Sequence, residues 1–103
     1  MEWFTKKKLE IIVEAVVVGR LTTLLDGLGV TGYTVVPALA GSGHGGSWSS
    51  DGQATAAGTM VVVTVIVAAE RVDTVVDPVF KLVRRQMGIL TLSDVLVLRG
   101  DHF

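Results

Sequence analysis

Residues 59–68 read TMVVVTVIVA, and they limit the fold more than any other segment. β-Branched residues dominate the run, which favours a strand. Side chains alternate across a strand, so Val61, Val63, Val65 and Val67 share one face. Met60, Val62, Ile66 and Ala68 share the other, with Thr64 as its polar member. A strand apolar on both faces is buried on both faces. Two sides of a sheet must therefore be covered.

The other elements follow from periodicity and punctuation. Residues 8–17 predict a first strand, rich in β-branched residues. Leu21, Leu24, Leu25 and Leu28 fall on one face of a helix, and Gly29 supplies its stop. Residues 33–39 predict a second strand, and Pro37 favours an edge position for it. Val72, Val75, Val76, Val79, Phe80, Val83 and Met87 mark a second amphipathic helix. Pro78 either kinks that helix or begins a new one behind an Asp77 cap. Residues 95–98 predict a short last strand. The order is β-α-β-β-α-β, an α+β chain in the split βαβ, ferredoxin-like arrangement. This is a four-stranded antiparallel sheet with two helices on one face. Another subunit is expected to cover the other face, in a closed homo-oligomer. The alternative, an exposed apolar sheet, would aggregate.

Length and composition remove several function classes. The 103 residues fit a single domain, 1–103, and 50% are hydrophobic, enough for a real core. Lys and Arg number 9 against 10 Asp and Glu, which argues against a general nucleic-acid binder. Without cysteine there is no disulfide and no thiolate metal site. The two histidines, His44 and His102, lack metal-ligand spacing, so no metal is expected. Lys6, Lys7 and Lys8 precede an apolar run, as in a signal peptide. Glu10 and Glu14 interrupt that run and Arg20 follows it, which argues against secretion. No segment reaches the roughly 18 uncharged apolar residues of a membrane span. A cytoplasmic protein without membrane insertion is the expectation.

Residues 41–58, GSGHGGSWSSDGQATAAG, form a Gly/Ser-rich stretch without Lys or Arg. A loop this long in a small domain is usually functional or disordered. Gly41, Gly43 and Gly46 match the dinucleotide fingerprint as a string. They do not open a helix, so the Rossmann reading fails. No Lys-Ser/Thr pair ends the glycines, so a Walker loop fails too. A small anion remains plausible, held by backbone N–H groups and by Ser42, Ser47 or His44. An arginine from elsewhere would then help, with Arg84, Arg85 and Arg99 as candidates. The plainer reading is a surface loop with no ligand. Trp48 would stack on a base, anchor a partner or pack on its own domain. Trp3 and Phe4 are expected to cover a core edge, and the three lysines to mark a solvated strand start. Glu10 and Glu14 share a strand face with Ile12, as an acid pair or as interface charges. No nucleophile–base constellation is visible, so an enzyme is not expected.

Over nearly its whole length the chain resembles the PII signalling superfamily. The most specific part is GVTGYTV at residues 29–35, preceded by KKLEIIVEAVVVGRLTTLLDGL and followed later by VVVTVIVAAERVDTVVDPV. The Gly/Ser segment stands where that family has its T-loop, and Gly41-Ser42-Gly43 matches the glycine pair at the T-loop base. The resemblance implies a trimer that binds adenine nucleotides in clefts between subunits and signals through the T-loop. It also departs from the family. The glycine- and lysine-rich B-loop should fall near residues 84–94, but RRQMGILTLSD keeps Gly88 and has no lysine. The lysine expected before the third strand is replaced around Met60. These losses point to ADP or AMP rather than a triphosphate. Residues 41–58 have no tyrosine, so neither ordinary uridylylation nor 2-oxoglutarate sensing is expected.

The departures resemble the carboxysome-associated CPII group, which implies sensing of bicarbonate with an adenine nucleotide. On that resemblance the nucleotide contacts are Thr34, Gly41, Ser42, Gly43, Ile66, Gly88 and Arg99. The bicarbonate contacts are His44, Gly45, Gly46, Ser47 and Arg99. Residues 41–47 would touch ligand, and Trp48 onward would be the mobile part. The implied partner is a carboxysome or bicarbonate-transport protein. The alternative is an interaction module whose loop docks a partner without any small ligand.

Overall fold

The computed structural model describes residues 1–43, 46–49 (as backbone), 59–86 and 88–103. His44, Gly45 and Met87 lie outside the described residues. The chain runs β1 (Phe4–Glu14), α1 (Val18–Gly27), β2 (Tyr33–Pro37), β3 (Ala40–Gly43), β4 (Gly46–Ser49), β5 (Met60–Val67), α2 (Val72–Val83) and β6 (Ile89–Val97). The main sheet has the order β2-β5-β1-β6, every neighbour antiparallel. The expected α+β, ferredoxin-like arrangement is present, with the helices on one face. Pro37 ends an edge strand, where its missing N–H costs no ladder bond.

The core lies between that face and the helices. Leu9, Ile11 and Val13 of β1 alternate inward with Val61, Val63, Val65 and Val67 of β5. Against them pack Leu21 and Leu25 of α1 and Val75, Val79 and Val83 of α2. The β5 face predicted from sequence is therefore the core face.

The opposite face is organised in rows by the strand register. Val36, Val62, Ile12 and Ile89 stand side by side across all four strands. The next row is polar: Thr34, Thr64, Glu10 and Thr91. Val36 and Ile89 are exposed, while Ile12 and Val62 are half-buried. No element of the chain covers these rows among the described residues. Ala68 differs from expectation: it lies past the end of β5 and is buried.

Several boundaries differ from the sequence expectation. β1 begins at Phe4, earlier than residue 8, and stops at Glu14, because Ala15–Val17 form a 3-10 turn. The Ala15 N–H donates to the Thr59 carbonyl at 2.8 Å, closing the pairing with β5 there. β2 stops at Pro37 rather than residue 39. β6 runs nine residues from Ile89, so only residues 84–88 remain for the loop expected over 84–94. α2 is one helix with Pro78 inside it, so Asp77 is not a cap. Residues 40–43 and 46–49 are not structureless, since β3 and β4 pair from Ala40↔Ser49 to Gly43↔Gly46. Trp48 is opposite Gly41 in that register, within the paired part of the segment. No helix among the described residues is long and apolar enough to cross a membrane.

Candidate functional site

The α1–β2 connection builds one wall of a cleft. Gly29 adopts φ 74, a left-handed conformation that favours glycine. Its N–H donates to the Asp26 carbonyl at 3.1 Å, and Val30 N–H donates to the Leu25 carbonyl at 3.4 Å. These are the two bonds of a Schellman cap. Arg71, at the start of α2, completes the cap from across the fold. Its Nη2 donates to the Leu28 carbonyl at 2.6 Å and its Nη1 to the Gly29 carbonyl at 3.3 Å. A cation at a helix C-terminus also complements the helix dipole. The chain then turns through Val30 and Thr31 beside Ile66, Ala68 and Arg71, and Phe103 closes the cleft.

The C-terminal segment is held against β1. Gly100–His102 form a 3-10 turn, with His102 N–H donating to the Arg99 carbonyl at 3.0 Å. Lys6 Nζ donates to the Phe103 carbonyl at 3.3 Å. Arg99 is exposed just before this turn. On β1, Lys7 pairs with Asp94 of β6, and Lys8 Nζ lies 3.7 Å from Glu10 Oε2. Glu10 therefore has an ion-pair partner on its own strand.

The β3–β4 hairpin leaves the opposite end of the sheet, where the Ala38 N–H donates to the Met60 carbonyl at 2.9 Å. Gly41, Ser42 and Gly43 form β3, with Ser42 facing Ser47 and Gly43 facing Gly46. Gly88 sits at this same end, just before Ile89, which pairs with Ile12. Its Cα is wedged beside Val83 and Val13.

The expected contact residues therefore divide by position. Ile66 and Arg99 stand near one end of the sheet; Gly41, Ser42, Gly43, Gly46, Ser47 and Gly88 stand at the other. Thr34, opposite Thr64, lies between them on the uncovered face. From Val61 to Ile66 the chain advances about 17 Å along β5, at about 3.3 Å per residue. A single chain does not bring the two groups together. The expected bicarbonate contacts His44 and Gly45 lie outside the described residues. Sequence reasoning missed Arg71 and Phe103. Arg71 carried no periodic signal, and Phe103 reaches the cleft only through the tertiary fold.

The family model for the nitrogen regulatory protein P-II matches residues 6–102. The chain belongs to the P-II family. P-II proteins are regulatory signalling proteins rather than enzymes. No curated protein matches the chain in sequence. Among solved structures, CPII, a nitrogen regulatory PII-like protein from Thiomonas intermedia K12, bound to ADP, AMP and bicarbonate, aligns with a TM-score of 0.89. That alignment has 28% identity and covers 99% of this chain and 96% of that one. CPII from the same organism bound to ADP and bicarbonate aligns at 0.83, with 29% identity over 99% and 97% of the two chains. Its apo form aligns at 0.73, with 26% identity over 93% and 95%. The expected resemblance to the PII superfamily and its CPII group thus holds.

Proposed function

We propose that this P-II protein is a homotrimeric sensor of an adenine nucleotide, ADP or AMP, together with bicarbonate. The ligands bind in clefts between subunits. One subunit contributes Thr34, Ile66 and Arg99; its neighbour contributes Gly41, Ser42, Gly43 and Gly88. His44, Gly45, Gly46, Ser47 and Arg99 hold the bicarbonate. Residues 41–58 act as a T-loop that orders on binding and presents a new surface, an order–disorder switch. The protein is cytoplasmic or carboxysome-associated, and its partner is a carboxysome or bicarbonate-transport protein.

One observation carries the reading: the expected contacts lie at opposite ends of the protomer, so a complete site needs two chains. The uncovered face, with its apolar row Val36, Val62, Ile12 and Ile89, supports assembly. The solved CPII structures with ADP, AMP and bicarbonate support the choice of ligands.

Calorimetry with ADP, with and without bicarbonate, tests it. Bicarbonate is expected to tighten ADP binding, and ADP to tighten bicarbonate binding by the same factor, as linkage requires. Equal ADP affinities in both titrations would remove the coupling. No adenine nucleotide binding at all would favour a module that docks a partner through its hairpin.

A further inference from the structure

We infer that the groove between α2 and the open edge of β6 docks a partner protein, which adds an extended segment to β6 as a further strand. That segment carries apolar side chains at alternate positions and an acidic end that meets Arg84.

Phe80 marks the groove. The apolar periodicity of α2 includes it, yet it is 49% exposed, while Val75, Val79 and Val83 are buried. The halves β1–α1–β2 and β5–α2–β6 repeat one another. Leu21 and Leu25 enter the core from α1 as Val75 and Val79 do from α2, so Asp26 and Phe80 occupy equivalent places. Asp26 leans over its edge strand, where its carboxylate accepts from the Tyr33 hydroxyl of β2 at 3.4 Å. Phe80 leans the same way over β6, against which α2 packs. Leu92 lies opposite the buried Leu9, on the helix side of β6, and is 50% exposed. Phe80, Leu92 and the half-buried Val76, one turn before Phe80, form an apolar strip beside an open strand edge.

The edge itself is unguarded. β6 runs nine residues in unbroken register with β1 and contains neither proline nor lysine, the residues that commonly blunt an edge. The other edge strand, β2, has five residues and ends in Pro37. A segment added to an edge gains main-chain hydrogen bonds, and its alternate side chains enter neighbouring pockets. Here α2 supplies the pocket wall.

Charge sets the occupant. Asp73, Val76, Phe80 and Arg84 follow one another along this flank of α2 at helical spacing. Arg84 and Arg85 are exposed and form no ion pair among the described residues. The far end holds Asp73, and there Lys7 pairs with Asp94. Carboxylates at the Arg84 end of the segment complement that row. A second β6 offers Asp94 as its acid, and Lys7 already engages it. Added antiparallel to β6, the segment meets Arg84 with its C-terminal end.

The test titrates a synthetic peptide as long as β6 into the full chain, with leucine and valine at alternate positions and aspartates at the C-terminal end. A second peptide carries lysines in place of the aspartates. Thermal unfolding of each protein variant is the control for folding. The aspartate peptide should bind and slow hydrogen exchange of the outward amides of residues 89–97. Phe80→Asp is expected to weaken it about tenfold or more. Should Phe80→Asp unfold, Phe80→Ala reads the same contact. Arg84→Glu with Arg85→Glu should reverse the preference, toward the lysine peptide. No binding of the aspartate peptide overturns the proposal. So does binding that ignores these substitutions or leaves exchange over residues 89–97 unchanged. If those amides are protected before any peptide is added and Phe80→Asp lowers the mass of the assembly, a second copy fills the groove and the partner is overturned.

Discussion

A Cβ added at Gly88 would meet Val83 Cγ1 at 2.5 Å, Val13 Cγ1 at 3.0 Å and the Ile12 carbonyl at 3.2 Å. Val83 belongs to the buried core and Ile12 offers backbone, so little can move aside. Gly88 is thereby a point where chain and core touch directly, whatever else it does. Gly19, inside α1, has nothing within 4 Å of its added Cβ. The same substitution should therefore have opposite signs at the two positions. Gly88→Ala is expected to destabilise by about 1–3 kcal/mol through overpacking. Gly19→Ala is expected to stabilise by roughly 0.5–1 kcal/mol, because alanine has less chain entropy to lose in a helix. Chemical denaturation of the two variants reads both signs, and equal effects would contradict the packing described at Gly88.

Among the elements, α2 tolerates an internal proline. Pro78 lacks the N–H that would bond the Thr74 carbonyl, and its ring crowds that carbonyl. The helix continues because Val75, Val79 and Val83 are anchored in the core on both sides of the break. Pro78→Ala should then restore a hydrogen bond and raise the melting temperature, by roughly 4–8 °C per kcal/mol for a domain of this size. A lower melting temperature would show that the ring's own packing outweighs the lost bond. The elements that rest on side-chain pattern were legible in the sequence. β5 announced itself through valines, α1 through leucines and its Gly29 stop, and β2 through the edge proline. β6 was legible only in part. Thr91, Ser93 and Asp94 interleave its apolar residues, and Leu92 and Leu96 remain 50% and 62% exposed, so its pattern resembles a loop. The β3–β4 hairpin was not legible at all. Glycine and serine carry no facial pattern, and backbone hydrogen bonds alone define its pairing. The cleft was half legible: GVTGYTV flagged one wall, while Arg71 and Phe103 reach it from elsewhere in the fold.

For the whole molecule, the deciding surface is the uncovered face of the sheet. Its apolar row spans all four strands, and a polar row with Glu10 lies directly beside it. Alternating rows favour a partner in one register, since a shift by one row would set valine and isoleucine against threonine and glutamate. Light scattering of the wild type should report the mass of three chains. Ile12→Asp puts a charge in the centre of the apolar row and should release monomers. A wild-type monomer would contradict the proposed assembly. If Ile12→Asp stays trimeric, this face is not the one the subunits share.

The separation of the hairpin end from the Ile66 end has a consequence for concentration. When each ligand is gripped by two chains, ligand and neighbour stabilise one another by mass action. Dilution then weakens sensing, and ligand in turn resists dilution. Such a sensor reads two quantities at once: how much ligand is present, and how much of itself.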